Sequence, residues 1–437
     1  MRFVDLFAGL GGFHIALKTL GHKCVFVSEI DDELRSLYTQ NFPEVAQKTF
    51  GDIRQYRDQV VPHDILCAGF PCQPFSKSGF QLGMSDKDQG TLIDEIVYVL
   101  DRCRPPYVIL ENVGNFERHD RGRTWRIVQQ KLRALDYDVR GTEHITSGGP
   151  GLISPHHLGF PHSRERFFIV AVQGTLPDSP FPATNRKCVP DLGTIVQPAS
   201  DLSEQDVLET RLTAVQQACI EHWNLFLSRF PAKTPLPSFP IWGDELDATY
   251  PYKEYTPFAA PLDVLKRALN GRFSVDSLSR EEMLGLLPSY ARSRKPHFPK
   301  WKIEFIRRNR EWFQEYHSCF PQEWMDKLWN FPPSLRKLEW NCQGEARDLW
   351  KHVLQFRPSG LRVKRYSTSP SLVAMTSTQI PILGPERRFL TRIEGLRLQG
   401  FPDQHQLPRS RNRAFKALGN AVHVGVVEAV ARHLLND

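Results

Sequence analysis

At 437 residues, with 41% hydrophobic and 24% charged side chains, the chain is long enough for two domains that each bury a core. No run approaches the roughly 18 uninterrupted apolar residues of a membrane span, and the eight cysteines contain no C-x-x-C pair, which argues against a zinc site and a disulfide framework alike. A formal charge of +7 is compatible with a polyanionic partner without requiring one.

The opening residues Met1 to Phe7 place Asp5 where a signal peptide needs apolar side chains, so the chain is expected to run straight into structure, in a reducing cytoplasm. Short apolar runs at 3–7, 24–28, 64–69, 107–111 and 166–172 are rich in β-branched and aromatic residues and flanked by Gly, Pro or Asp, which predicts buried parallel strands. Between them lie helical spacings, Leu92, Ile93, Ile96, Val97 and Leu100, then Trp125, Val128, Leu132 and Leu135. This alternation predicts an α/β fold, a doubly wound, mostly parallel sheet with helices on both faces. After Gly174 prolines crowd in and the rhythm is lost. Eight of the nine tryptophans fall between Trp223 and Trp350. The expectation is one domain over 1–189, completed by 403–437 through an amphipathic helix from Ala414 to Leu435, and a smaller domain over 190–402 built around those indoles.

The turn Asp5-Leu6-Phe7-Ala8-Gly9-Leu10-Gly11-Gly12-Phe13 joins the first strand to the first helix. It is either a plain tight turn or a place where backbone approaches a ligand. Its spacing is not the G-x-G-x-x-G of nicotinamide folds, and it lacks the Lys-Ser/Thr of a triphosphate loop, so a nucleoside cofactor without a pyrophosphate suits it better. Adenosylmethionine is such a cofactor. Glu29, at the end of the second strand, is placed to accept both ribose hydroxyls, and Asp52 to accept from an adenine amino group.

Cys72 stands between Pro71 and Pro74 at the carboxyl end of the strand 64–69, where open α/β sheets do chemistry. It is either a nucleophile or a buried structural thiol. Glu111 ends an apolar run and faces the same crevice, as an acid or as an ion-pair partner. Arg164 and Arg166, at alternate positions, can reach one group together or lie solvated.

Taken in order, F-A-G-L-G-G-F from Phe7, then Glu29, Asp52, P-C-Q from Pro71, E-N-V from Glu111, R-x-R from Arg164, Arg397-Leu398-Gln399-Gly400-Phe401-Pro402-Asp403 and Gly419-Asn420-Ala421-Val422 resemble the C5-cytosine DNA methyltransferases. The likeness covers 1–175 and about 385–437. It implies methyl transfer from S-adenosylmethionine to carbon 5 of a cytosine flipped out of double-stranded DNA. Cys72 would add to carbon 6, Glu111 would protonate nitrogen 3, and Arg164 and Arg166 would steady the base carbonyl and the catalytic loop. Phe7, Gly9, Leu10, Gly11, Glu29, Ile30, Asp52, Ile53, Pro71, Asn420 and Val422 would line the cofactor site, and no metal is implied. Gln73, Ser76, Arg362, Lys364 and Arg365 are candidates for DNA contact, the last three equally readable as a solvated basic loop.

Three positions depart from the family pattern: His162 where a Gln usually precedes R-x-R, Gln89 where an Arg often precedes Gly-Thr-Leu, and Ile30 where an aromatic residue commonly stacks on adenine. The architecture resembles a monomeric modification enzyme of a bacterial restriction system, acting beside a separate endonuclease and no membrane. Rival readings are a transfer-RNA methyltransferase on the same motifs, a non-catalytic DNA-binding regulator, and an amino-methyltransferase. For the last, Arg104-Pro105-Pro106-Tyr107 is a decoy.

Overall fold

The computed structural model describes residues 1–70, 92–270, 273–373 and 379–435. They form two compact units, one of Met1–Thr210, Ser367–Ile380 and Leu390–Asp437, the other of Arg211–Tyr366 and Pro381–Phe389. The boundary expected at 189/190 lies at 210/211 instead, and the chain rejoins the first unit at 367 and again at 390, ahead of the expected 403. Buried hydrogen bonds explain the first difference. The Gln197 amide N–H donates to Glu394 Oε1 at 2.9 Å and the Thr391 hydroxyl to Gln197 Oε1 at 2.5 Å, so the proline-rich stretch is fastened to the first unit.

In chain order the first unit begins with β1 (Arg2–Leu6), α1 (Gly12–Thr19), β2 (Lys23–Ser28), α2 (Asp32–Asn41), β3 (Thr49–Phe50), α3 (Ile53–Tyr56), β4 (Ile65–Gly69), α4 (Leu92–Cys103), β5 (Tyr107–Val113), α5 (Arg123–Arg133), β6 (Tyr137–Gly141), β7 (His162–Ser163), β8 (Arg166–Gln173) and α6 (Glu204–Thr210). The main sheet runs β3-β2-β1-β4-β5-β8-β6. Its first five strands pair in parallel, as their near-continuous apolar character requires. β8 does not: it runs antiparallel to both β5 and β6. An apolar run states burial but not direction, so the parallel orientation expected for 166–172 is corrected. β6 escaped detection because Tyr137-Asp138-Val139-Arg140-Gly141 alternates buried and less buried positions at a sheet edge. Ile93, Ile96 and Leu100 of α4 and Trp125, Val128 and Leu132 of α5 are buried in the same core as the central strands.

The second unit holds α7 (Ala214–Arg229), β9 (Ile241–Trp242), α8 (Leu262–Asn270), α9 (Arg280–Gly285), α10 (Lys300–Glu315), α11 (Gln322–Trp329), β10 (Lys337–Asn341), β11 (Val353–Arg357) and β12 (Gly360–Lys364). After β13 (Ser369–Pro370), which pairs with β7 in the first unit, β14 (Ile382–Leu383) and β15 (Arg388–Phe389) complete a sheet of order β15-β14-β11-β12-β10-β9. Its aromatic core is tight. Trp324 stacks on His222 at 4.4 Å and meets Trp223 edge-on at 5.4 Å, and Phe226 stacks on Phe320 at 4.9 Å. The indoles are therefore mainly core, as expected, with Trp301 the exception at 58% exposure.

The chain ends in α12 (Arg392–Leu398), α13 (Arg411–Asn420) and α14 (Val424–Leu435), all in the first unit. The single helix expected over 414–435 is broken at Ala421, which takes an extended backbone, φ −61° and ψ 146°. By length and composition 411–435 is apolar enough to cross a membrane, yet 72% of its most apolar 18-residue window is buried in the fold.

Candidate active site

Among the described residues, the carboxyl edge of the parallel strands carries Glu29, just after β2, and Glu111 in β5. Phe7, just beyond β1, takes φ +56°, a left-handed backbone that costs a non-glycine residue about 1–2 kcal/mol, and this directs the chain sharply into the glycine turn. The three glycines do different work. A Cβ on Gly9 would meet nothing within 4 Å, so this backbone faces open space. One on Gly11 would lie 2.4 Å from the Phe42 ring, and one on Gly12 2.6 Å from Val422. Gly11 and Gly12 are therefore small because helix α1 packs closely, and Gly9 is the one suited to admit a ligand. Leu10 is buried.

Glu29 is 8% exposed. Its carboxylate accepts the Gly9 N–H at 2.8 Å through one oxygen and the Asp31 N–H at 2.8 Å through the other. Burial holds its pKa above the usual carboxylate range, against the lowering effect of those two N–H groups. A carboxylate offers about four acceptor sites, so two remain for a diol. Beside it Ile30 is 64% exposed, an apolar side chain next to the acid. An adenosine fits this pairing of polar and apolar groups. Asp52 is less available: it caps α3 through the Arg54 N–H and takes the Arg54 Nε at 3.0 and 2.9 Å, which holds its pKa below the usual range. Ile53 is a core residue, 2% exposed, so only its backbone can face a ligand.

Gly69, at the end of β4, marks the centre of the site. A Cβ there would stand 3.6 Å from Val422, 3.7 Å from Phe13 and 3.9 Å from Glu111 Oε2. Glu111 pairs with Gly69 across β4 and β5 and is 7% exposed, with Arg166 Nε 2.9 Å from its Oε1. Arg164 does not share that role. Its side chain is buried, donates to the Ala421 carbonyl at 2.8 Å and to the Ser371 hydroxyl at 3.4 Å, and its own N–H donates to Ser154 Oγ at 2.8 Å. The two arginines thus separate, one on the acid and one on the turn that contains Asn420 and Val422. Asn420 itself is exposed. His162 is fully buried, and desolvation with the adjoining Arg164 keeps its ring pKa well below the usual value.

Pro71, Cys72, Gln73, Ser76 and Gln89 lie outside the described residues. The approach to them is fixed by Asn112, whose amide donates to the Phe70 carbonyl at 2.9 Å while its own oxygen accepts the Val113 N–H. Sequence reasoning gave Asn112 no role, although its place immediately after the acid was a usable signal. It also missed Gln399, whose side-chain amide donates to the Leu418 carbonyl and whose backbone carbonyl accepts the Val424 N–H at 3.0 Å, closing the 421–423 turn. The Arg104 to Tyr107 decoy runs into the amino end of β5, the sheet edge away from Glu111.

In the second unit, Arg362 Nε pairs with Glu339 at 3.1 Å and Arg365 Nε with Glu345 at 3.0 Å. Lys364 has its pKa lowered by burial and by the neighbouring Arg362. The two arginines are thus engaged within the unit, and Arg362 and Lys364 lie in β12 rather than in a solvated loop.

Comparison with known proteins adds the family. The family model described as C-5 cytosine-specific DNA methylase matches residues 1–233 and 287–436. The type II methyltransferase M.AluI of Cellulosimicrobium cellulans is 34% identical over 501 residues, covering 100% of this chain and 91% of the relative. M.HgiCI of Herpetosiphon aurantiacus is 27% identical over 469 residues, covering 100% and 98%. M.HhaI of Haemophilus parahaemolyticus is 40% identical over 177 residues, covering 40% and 50%.

Proposed function

Because this chain belongs to the C-5 cytosine-specific DNA methylases, its reaction is methyl transfer from S-adenosylmethionine to carbon 5 of cytosine in DNA, and we propose that Cys72 and Glu111 carry it out on an extruded base. Carbon 5 of a neutral cytosine is a poor nucleophile. The Cys72 thiolate adds to carbon 6, and Glu111 places a proton on nitrogen 3, so the electron pair released by addition gathers at carbon 5. S-adenosylmethionine supplies the electrophilic methyl group that this carbon takes. Loss of the carbon 5 proton then expels Cys72 and restores the aromatic ring.

The observation that supports this reading most is the position of Glu111. It stands at the carboxyl end of β5, held by Arg166 at 2.9 Å and beside Gly69, the residue from which the chain runs on to Pro71 and Cys72. Arg164 serves as a positioning residue for the Asn420 to Val422 turn rather than as a ligand of the base. Glu29 and the open backbone at Gly9 receive the adenosine, with Ile30 against its base. The second unit grips the duplex. The protein works as a cytoplasmic monomer, the modification half of a restriction system whose endonuclease is a separate chain.

With labelled S-adenosylmethionine, the purified protein is expected to methylate duplex DNA at carbon 5, and Cys72→Ser to abolish the signal. The wild type should also form a covalent complex with 5-fluorocytosine DNA that Cys72→Ala does not form. Label on transfer RNA without label on DNA would overturn the substrate, and a complex that survives Cys72→Ala would overturn the nucleophile. Bisulfite sequencing of DNA from expressing cells reads the sequence context.

A further inference from the structure

The family model leaves residues 234–286 unmatched, yet the described residues of this span are folded. Tyr250, Leu265, Leu269 and Met283 are buried in one cluster with Phe298 and Ile306, which belong to the matched chain beyond it. The span is acidic, with five Lys/Arg against eight Asp/Glu. Two of its acids are turned inward. Glu245 accepts from Arg310 Nε at 2.9 Å and from the Tyr290 hydroxyl at 2.6 Å, and Asp244 from Arg336 at 2.8 Å.

The 24 residues that follow are the opposite. Leu287 to Arg310 contain eight Lys/Arg and one acid, Glu304. Three hydrogen bonds pin the middle of this stretch to the unmatched span. Thr256 donates its N–H to the Pro296 carbonyl at 2.9 Å and its hydroxyl to the Lys295 carbonyl at 2.7 Å, and His297 Nδ1 lies 2.7 Å from the Glu254 carbonyl oxygen. Arg307 pairs with Glu304 and Glu311, Arg308 pairs with Glu304, and Arg294 is 3.3 Å from Glu281. Lys295 and Lys300 are exposed and have no ion-pair partner among the described residues. Next to Lys300, Trp301 is 58% exposed, with the Lys302 ammonium 5.7 Å from its ring.

We propose that Lys295, Lys300 and Trp301 form a clamp for the phosphate backbone of duplex DNA, held in shape by the span 234–286, and that it contributes affinity independent of sequence. The inference rests on duplex DNA being the substrate. Two unpaired ammonium groups on a backbone fixed at three points meet phosphates without first breaking internal ion pairs, and the exposed indole N–H is a further donor to a phosphate oxygen. Arg362 and Arg365 would have to give up carboxylates to do the same.

Two full-length variants test this, Lys295→Glu/Lys300→Glu and Trp301→Ala, all at exposed positions, with thermal melting to confirm that each folds. Binding is measured by fluorescence anisotropy across a salt series, on one duplex carrying the methylated context and one lacking it. The double variant should lose about tenfold in affinity on both duplexes at low salt, and its log–log salt slope should fall by about 2, near 0.9 for each phosphate that is no longer neutralised. Trp301→Ala should weaken both complexes and keep the slope, since it removes no charge. Unchanged affinity and slope in the double variant would overturn the clamp alone. So would a weakening confined to the duplex with the methylated context, which would mean base reading. A wild-type protein that binds and methylates neither duplex would overturn the function and the clamp with it.

Discussion

Glu29 shows how much one side chain decides. Burial raises its pKa, while the Gly9 and Asp31 N–H groups favour the charge. In the proposed cofactor site the ribose diol donates to the ionised carboxylate, so the sign follows: as pH falls, Glu29 takes a proton earlier than a free glutamate, and cofactor affinity is expected to be lost from above the ordinary glutamate range. Calorimetric titration of S-adenosylmethionine from pH 8 to 5 should show that loss. Glu29→Gln should weaken binding by about 2 kcal/mol at pH 8, the scale of hydrogen bonds to a charged group, and flatten the pH dependence. An unchanged profile in the variant would assign the titration elsewhere. At this scale the sequence located Glu29 and Glu111 at their strands because a motif fixed both residue and position. It was not readable where a neighbour intervened: nothing in Gly51-Asp52-Ile53 announces that Arg54, two residues on, occupies the Asp52 carboxylate.

Among elements, the informative junction is the end of β4. Asn112 is 2% exposed and holds the Phe70 carbonyl, the last described group before Pro71. Asn112→Ala leaves that carbonyl without its buried partner. Urea unfolding should show a loss of about 2 kcal/mol, and kcat for methyl transfer should fall about tenfold, because misplacing a reacting group costs rate. The same stability loss with kcat intact would make Asn112 merely structural. All five strands that the apolar runs announced are present, within two residues at each end. What the runs did not carry was direction and edges. β8 is as apolar as a parallel strand because β5 and β6 flank it on both sides, and β6 is patterned like a surface segment because it has one neighbour. The R-x-R spacing misled in a related way. Arg164 precedes β8 rather than lying in it, so strand alternation does not govern where its side chain goes.

At the scale of the whole molecule, buried histidines weaken the fold in acid, against the opposite effect of the buried carboxylates Asp5 and Glu29. Desolvation lowers the pKa of His14, His157 and His405 to about 4 and of His423 to about 3. Each ring is neutral in the folded state, whereas the unfolded chain binds protons near the ordinary value of about 6.5. Their contribution to stability is thus complete above that pH and is lost as pH falls toward 4 and 3. Melting temperature should be level from pH 8 to 7 and drop steadily between 6.5 and 4. A level curve down to pH 4.5 would show that these rings titrate normally. None of this was legible in the sequence, because fifteen scattered histidines do not reveal which are interior.

The first unit is assembled from three stretches of chain, and the last of them supplies the turn that Gly12 packs against and Arg164 donates to. A ribosome that has reached residue 390 has already made the whole β-sheet, but the nascent chain still lacks the piece that closes its cofactor side. A chain stopped at residue 390 is therefore expected to transfer no methyl group, and activity to appear only once this final stretch has been made.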